Sequence, residues 1–185
     1  SAIDEFKAAA EAVSIVGIPW IGTMSFDTAG RTMMGIKSSE FVKEIESLPN
    51  PPLAYGANCG VGASDLLRTI LGFTSAGASL PLVAKGNAGI PKFIDGEIHY
   101  DGSPELMAKY AVMSLGCGAK IIGGCCGTTP KHLVAMKSAL QNCGEQEVPT
   151  LSDIQGEIGP FSSDSDGTDN KTLGKRPRRT RRKAR

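Results

Sequence analysis

No apolar run in this 185-residue chain approaches the roughly 20 residues a helix needs to cross a bilayer. Aromatic residues make up only 5% of it, with one Trp, and histidine occurs twice, so few side chains are on hand to stack on bases or cage a cation. There is no C-x-x-C pair, and five cysteines is an odd number with no framework spacing. That excludes the disulfide scaffold of a small secreted domain and points to a reducing, cytoplasmic setting. The G-x-G-x-x-G phosphate loop of a dinucleotide fold is missing after the first expected strand, and "GVGAS" after the second is too short a match to count. Acidic residues are absent from positions 175–185, "KRPRRTRRKAR", which hold eight of the twenty Lys and Arg. The other 174 residues therefore carry 12 bases against 19 acids, a net of −7, so an acidic body and a basic tail hide behind a formal charge of +1.

What is present is 41% hydrophobic residues and 23 glycines, the profile of a glycine-rich α/β domain with a real core. The chain starts with Ser1 and has no signal peptide, and we expect a processed chain or a fragment. Residues 3–16 have helical patterning closed by Gly17-Ile18-Pro19. "PWIGTMSF" reads as a buried strand ending near Asp27, and "DTAGRTMMG" as a loop. Ser38 or Ser39 could cap a helix to about Leu48, stopped by Pro49, Pro51 and Pro52. "LAYGANC" is the next strand, 63–76 a helix, "LPLVAKGNAG" a third strand with its loop, and "PKFIDGEIHYDGS" a polar connection. Ser103-Pro104 and Thr129-Pro130 open two further helices around the strand "AKIIGG". Strands alternating with helices mean a parallel sheet, either half of an eight-stranded barrel or a doubly wound open sheet. We place the end of the folded part near residue 150, with 151–185 a disordered extension in which "LSDIQGEIGPF" is allowed a packed role.

The chemistry gathers at strand ends. Cys59 ends the second strand, and Cys125 and Cys126 end the fourth, behind Gly123-Gly124. Adjacent cysteines bridge each other only with strain, and functional groups of parallel α/β units lie at the C-terminal ends of strands. Three thiolates brought to one rim can share a tetrahedral metal and leave its fourth position open, the pattern of a catalytic zinc site. An iron–sulfur cluster or a redox pair is the less favoured account, since the first normally takes four cysteines. Cys117 and Cys143 are read as packing.

"GANCG" followed by "IIGGCCGTTPKHL", with "TMSFDTAGRTMMG" and "NAGIP", resembles the homocysteine S-methyltransferase family, which includes betaine–homocysteine methyltransferases. The resemblance implies the C-terminal half of a (β/α)8 barrel over residues 1–150, with Cys59, Cys125 and Cys126 as ligands of Zn2+ and homocysteine sulfur in the open position. Methyl transfer from a donor such as betaine would then give methionine, with methylfolate, cobalamin or S-methylmethionine as other donors. The residues that grip the amino acid would lie in the half that is absent. Asp27 and Asn87, at strand ends, are candidates for substrate binding; Arg31 shares the loop of Asp27. Trp20 and Tyr55 are read as core rather than as a cage, His132 as surface, and His99 as no ligand. We expect homocysteine and a small methyl donor as partners, homo-oligomerisation of the full-length protein, and no membrane. Nucleic-acid binding through the basic tail is the rival of another class; against it stand the acidic body and the lack of interleaved aromatics. Four strands leave two open edges, so the isolated segment should pair, aggregate or fold loosely.

Overall fold

Four short strands, Ile21–Met24, Ala54–Cys59, Leu82–Gly86 and Ala119–Gly124, pair in parallel in that spatial order, each joined to the next by a helix packed on one face of the sheet. The structure, a computed structural model, describes residues 2–164. In chain order the elements are α1 (Ile3–Val16), β1 (Ile21–Met24), α2 (Ser38–Glu46), β2 (Ala54–Cys59), α3 (Ala63–Ser75) and β3 (Leu82–Gly86). They continue with β4 (Pro91–Ile94), β5 (Glu97–Tyr100), α4 (Pro104–Gly116), β6 (Ala119–Gly124), α5 (Pro130–Asn142) and α6 (Leu151–Glu157). This is the expected parallel α/β half-barrel, open at both edge strands. The basic tail falls outside the described residues.

The strands alternate sharply between two faces. Tyr55 and Ala57 of β2, with Leu82 and Ala84 of β3, point toward the helices and meet Phe41, Ile45, Leu67, Ile70 and Phe73 in one core. Edge-to-face ring pairs such as Phe41–Tyr55 at 5.9 Å and Phe26–Phe73 at 5.3 Å fill it. The Tyr55 hydroxyl escapes burial without a partner by donating to Glu46 Oε1 at 2.7 Å. Burial alone would raise the Glu46 carboxyl, but hydrogen bonds from Ser79 N, Tyr55 and the Ser79 hydroxyl outweigh it and hold the group below the ordinary carboxylate range.

On the opposite face the side chains thin out. A Cβ on Gly86 would come within 2.9 Å of the Tyr110 ring on α4, so Gly86 faces the helices and its neighbour Lys85 faces away from them. Ile21 and Ile121 on that second face are 52% and 40% exposed.

Three local features depart from the expectations. Ser38 lies inside α2; the helix start is held instead by Glu40, whose Oε2 accepts from Lys37 N at 2.9 Å. The polar connection at 91–103 contains an antiparallel hairpin, β4–β5, turned by Asp95 (φ 50°) and Gly96 (φ 88°). The chain also does not leave the body at residue 150. Thr150 and Asp153 form a reciprocal cap for α6, Asp153 N donating to Thr150 Oγ1 at 3.2 Å and Thr150 N to Asp153 Oδ2 at 2.8 Å. Beyond it a strap crosses α3: Ser64 donates to Gly159 O at 2.8 Å, Ser162 N to Asp65 Oδ2 at 2.9 Å, and Arg68 to Ser163 O at 2.9 Å. The buried Asp65–Arg68 pair beneath, 2.7 Å apart, lies under Phe161, whose ring centroid is 4.3 Å from the guanidinium.

Candidate metal centre

All three rim cysteines meet. Cys59 Sγ lies 2.8 Å from Cys125 Sγ and 3.5 Å from Cys126 Sγ, and the adjacent pair is 4.0 Å apart. The register explains the meeting: Cys59 pairs with Gly86, and Gly86 pairs with Gly124, so the ends of β2, β3 and β6 lie side by side. Cys59 itself sits at φ 55°, a left-handed conformation that a non-glycine residue adopts only when its surroundings impose it. That turn breaks the strand's alternation and carries its sulfur to the neighbouring loop.

One side chain ties the two cysteine loops together. Asn87, 3% exposed just past β3, donates from Nδ2 to Gly60 O at 3.0 Å and accepts at Oδ1 from Cys126 N at 3.1 Å. Backbone bonds reinforce it: Cys125 N donates to Gly86 O at 2.8 Å and Ala88 N to Cys126 O at 3.0 Å. Asn87 is thus committed to the loops carrying the thiols. Asp27, the other substrate-binding candidate, is exposed just past β1 and accepts from the Thr28 hydroxyl at 3.3 Å. The preceding Phe26 carbonyl lies near Gly60, where an added Cβ would be 3.6 Å away, so Asp27 stands at the same rim.

Two contributors went unread in the sequence. Tyr100, at the end of the hairpin, packs so closely on Gly127 that a Cβ there would be 2.3 Å from its ring. Its phenol is raised by burial and by its side-chain interaction with Cys126. The Asp95-Gly96 turn flanked by "KFI" and "EIHY" was the available signal. His132, expected at the surface, is 9% exposed. Thr129 N donates to its Nδ1 at 3.0 Å, which places the ring proton on Nε2, donated to Gly102 O at 2.8 Å. Its place as third residue of α5, one turn in from Thr129, lets it fold back and lock the loop after the cysteines to the hairpin base. Trp20 meets Phe6 in a tilted ring pair at 5.8 Å, and Tyr55 is sealed under the helices. His99, on β5, is exposed. Cys117 is fully buried, its thiol pushed up to about 12 by desolvation, and Cys143 donates to Leu140 O at 3.3 Å.

The donor set fits a metal. All three sulfurs lie within 4.8 Å of one another. An ion about 2.3 Å from each of three tetrahedrally disposed thiolates would set them about 3.8 Å apart, within the spread of the pairs above. As thiols they compete for protons. Burial, together with hydrogen bonds to Cys125 and Cys126, pushes Cys59 up to about 12. Burial acts on Cys125 in the same sense, but bonds from Cys59, Cys126 and the backbone outweigh it and bring it down. Soft, crowded, partly shielded sulfur ligands are what a thiophilic divalent ion selects.

Residues 1–140 match the family model described as homocysteine S-methyltransferase. Among solved structures, the chain is similar to the homocysteine methyltransferase MmuM of Escherichia coli. In its metallated form that protein is 25% identical, with a TM-score of 0.52 over 72% of this chain and 40% of that one. In its oxidized form it is 26% identical, with the same TM-score over 72% of this chain and 41% of that one. The chain thus spans about two fifths of the length of these structures.

Proposed function

Since the chain belongs to the homocysteine S-methyltransferase family, we propose that it supplies the thiolate-bearing half of an enzyme that methylates homocysteine to methionine. The observation that carries this reading is the meeting of Cys59, Cys125 and Cys126 at one strand-end rim. We assign the half-barrel domain to residues 1–150, zinc to the three sulfurs, and substrate contact at the rim to Asp27. For Asn87 the reading is a positioning role, since both ends of its amide are engaged.

Zinc bound there would act as a Lewis acid that keeps the substrate sulfur deprotonated at neutral pH. The protein's own part is to hold three sulfurs convergent. The strained turn at Cys59 aims one of them, Asn87 fixes the spacing of both loops, and Tyr100 packs on Gly127 directly after the cysteine pair. In the reaction, homocysteine sulfur forms a bond to the donor's methyl carbon. The bond from that carbon to the donor breaks with its electron pair staying on the donor, and the thiol proton goes to solvent. Betaine is the donor we would assay first, ahead of methylfolate and S-methylmethionine. Trp20 and Tyr55 point away from the rim, so neither supplies the cage that betaine's ammonium needs. Because the thiols must stay reduced, we place the protein in the cytoplasm, as a homo-oligomer at full length.

The test is metal content and activity together. Reduced protein should carry about one zinc per chain by elemental analysis, in line with a single three-thiolate site. The Cys125→Ser/Cys126→Ser variant should carry none, and the full-length protein should form methionine from homocysteine. A folded, reduced, zinc-free wild type would sink the reading.

A further inference from the structure

Lysine is rare in this sheet, and one of its two lysines stands beside the thiols. Among the described residues, Lys85 and Lys120 are the only charged residues of β1, β2, β3 and β6. Lys120 sits near the far end of β6, within the register shift between β3 and β6. Lys85 is exposed, one residue before the rim, in register with Asn58 on one side and Gly123 on the other. The next register layer is Cys59, Gly86 and Gly124. Because Ala57, Ala84 and Gly86 face the helices, Asn58 and Lys85 face the open side. The flanking Gly123 leaves space there, since a Cβ on it would only touch Lys85 Cγ at 3.8 Å. Among the described residues, neither the Asn58 side chain nor the Lys85 side chain has a hydrogen-bond or ion-pair partner, their backbones alone being paired in the sheet.

An ammonium facing the lumen of a closed barrel is costly unless an anion meets it. Near three thiolates, a carboxylate-bearing ligand also needs a compensating cation. We propose that Lys85, with the Asn58 amide beside it, binds the carboxylate of the small ligand that reacts at the cysteine cluster. This rests on the methyltransferase reading and adds to it the group that recognises the ligand's acid end. The carboxylate belongs to homocysteine or to a donor such as betaine, and the two sources are separable.

The experiment uses the zinc-loaded full-length protein and two probe pairs, each differing by a carboxylate: homocysteine against 3-aminopropanethiol, and betaine against tetramethylammonium. Lys85→Met should raise KM for the carboxylate-bearing member of one pair by about 10- to 100-fold and leave the other member nearly unchanged, as loss of a charge-assisted hydrogen bond predicts. Lys85→Arg should restore most of the discrimination. The pair that responds names the source. Equal effects on both members of each pair, or none, with zinc content and Tm unchanged, would assign Lys85 to an ion pair within the protein and overturn the proposal. If the zinc-loaded wild type transfers no methyl group to homocysteine, the methyltransferase reading falls, and this inference with it.

Discussion

The two faces of one four-stranded sheet are built to opposite specifications. Toward the helices lie Tyr55, Ala57, Leu82 and Ala84 against Phe41 and Phe73, sealed and fully partnered. On the other side lie Ile21, Lys85, Ile121 and Gly123, partly open and spaced by glycine. The first face makes the fold stable; the second is left for something else to fill. The cysteine rim joins them, because Cys59 abandons the strand's alternation where the two faces end.

The contrast can be broken most directly by truncating one residue from each face. Phe73→Ala should cost about 3–5 kcal/mol, whereas Ile121→Ala should cost under about 1 kcal/mol, read by urea denaturation. Similar losses would show that the open face is stabilised as strongly as the sealed one. Asn87→Ala tests whether the rim belongs to the fold or to the metal. It should lower zinc affinity about 10- to 100-fold by chelator competition, and stability by about 1–3 kcal/mol, because Cys126 N and Gly60 O lose their partner. A stability loss with unchanged zinc affinity would move Asn87 into the sealed region.

Proton competition should make the rim, unlike the core, sensitive to pH near neutrality. Cys59 holds its proton up to about 12 without metal, so zinc binding must displace it. Zinc affinity should therefore rise as pH rises from 6 to 8, about tenfold per pH unit for each proton released. A flat profile would mean that the thiols do not bind the ion. The smallest effect belongs to Glu46 on the sealed side. Its lowered carboxyl contributes stability present above the unfolded value of 4.5 and lost as pH falls through its folded value. The stability gap between wild type and Glu46→Gln, under about 1 kcal/mol at pH 7 after solvent screening, should close as pH drops below that range.

Much of the frame was legible in the sequence because strand and helix signals were strong and well separated. "LAYGANC" and "AKIIGG" are apolar runs bounded by turns, and Ser103-Pro104 reads as a helix start, with Ser103 Oγ accepting from Leu106 N at 3.2 Å. The gathering of Cys59 with Cys125 and Cys126 followed from strand ends in a parallel sheet. What escaped was decided by tertiary partners. His132 looked like a surface residue until the Gly102 carbonyl was there to receive its Nε2 proton. Lys85 is one polar letter in "LVAKG", and only the direction of Gly86 reveals which face it takes. The β4–β5 hairpin and α6 were overlooked although Asp95-Gly96 and the Thr150/Asp153 cap were both present, because polar surroundings outweighed short signals.

The separation of the cysteines along the chain has a consequence in time. Cys59 and Cys125 are 66 positions apart, and among the described residues β6 is the last of the sheet's strands in chain order. A chain emerging from the ribosome therefore exposes one sulfur long before the other two exist, and no complete cradle forms until the sheet is nearly finished. An ion captured then would act as a late clasp around a long loop, and a cross-link of that span would remove about 4 kcal/mol of freedom from the unfolded chain. With a bound ion, maturation would have an order, sheet first and metal second, because all three sulfurs meet only when β2 and β6 are in place.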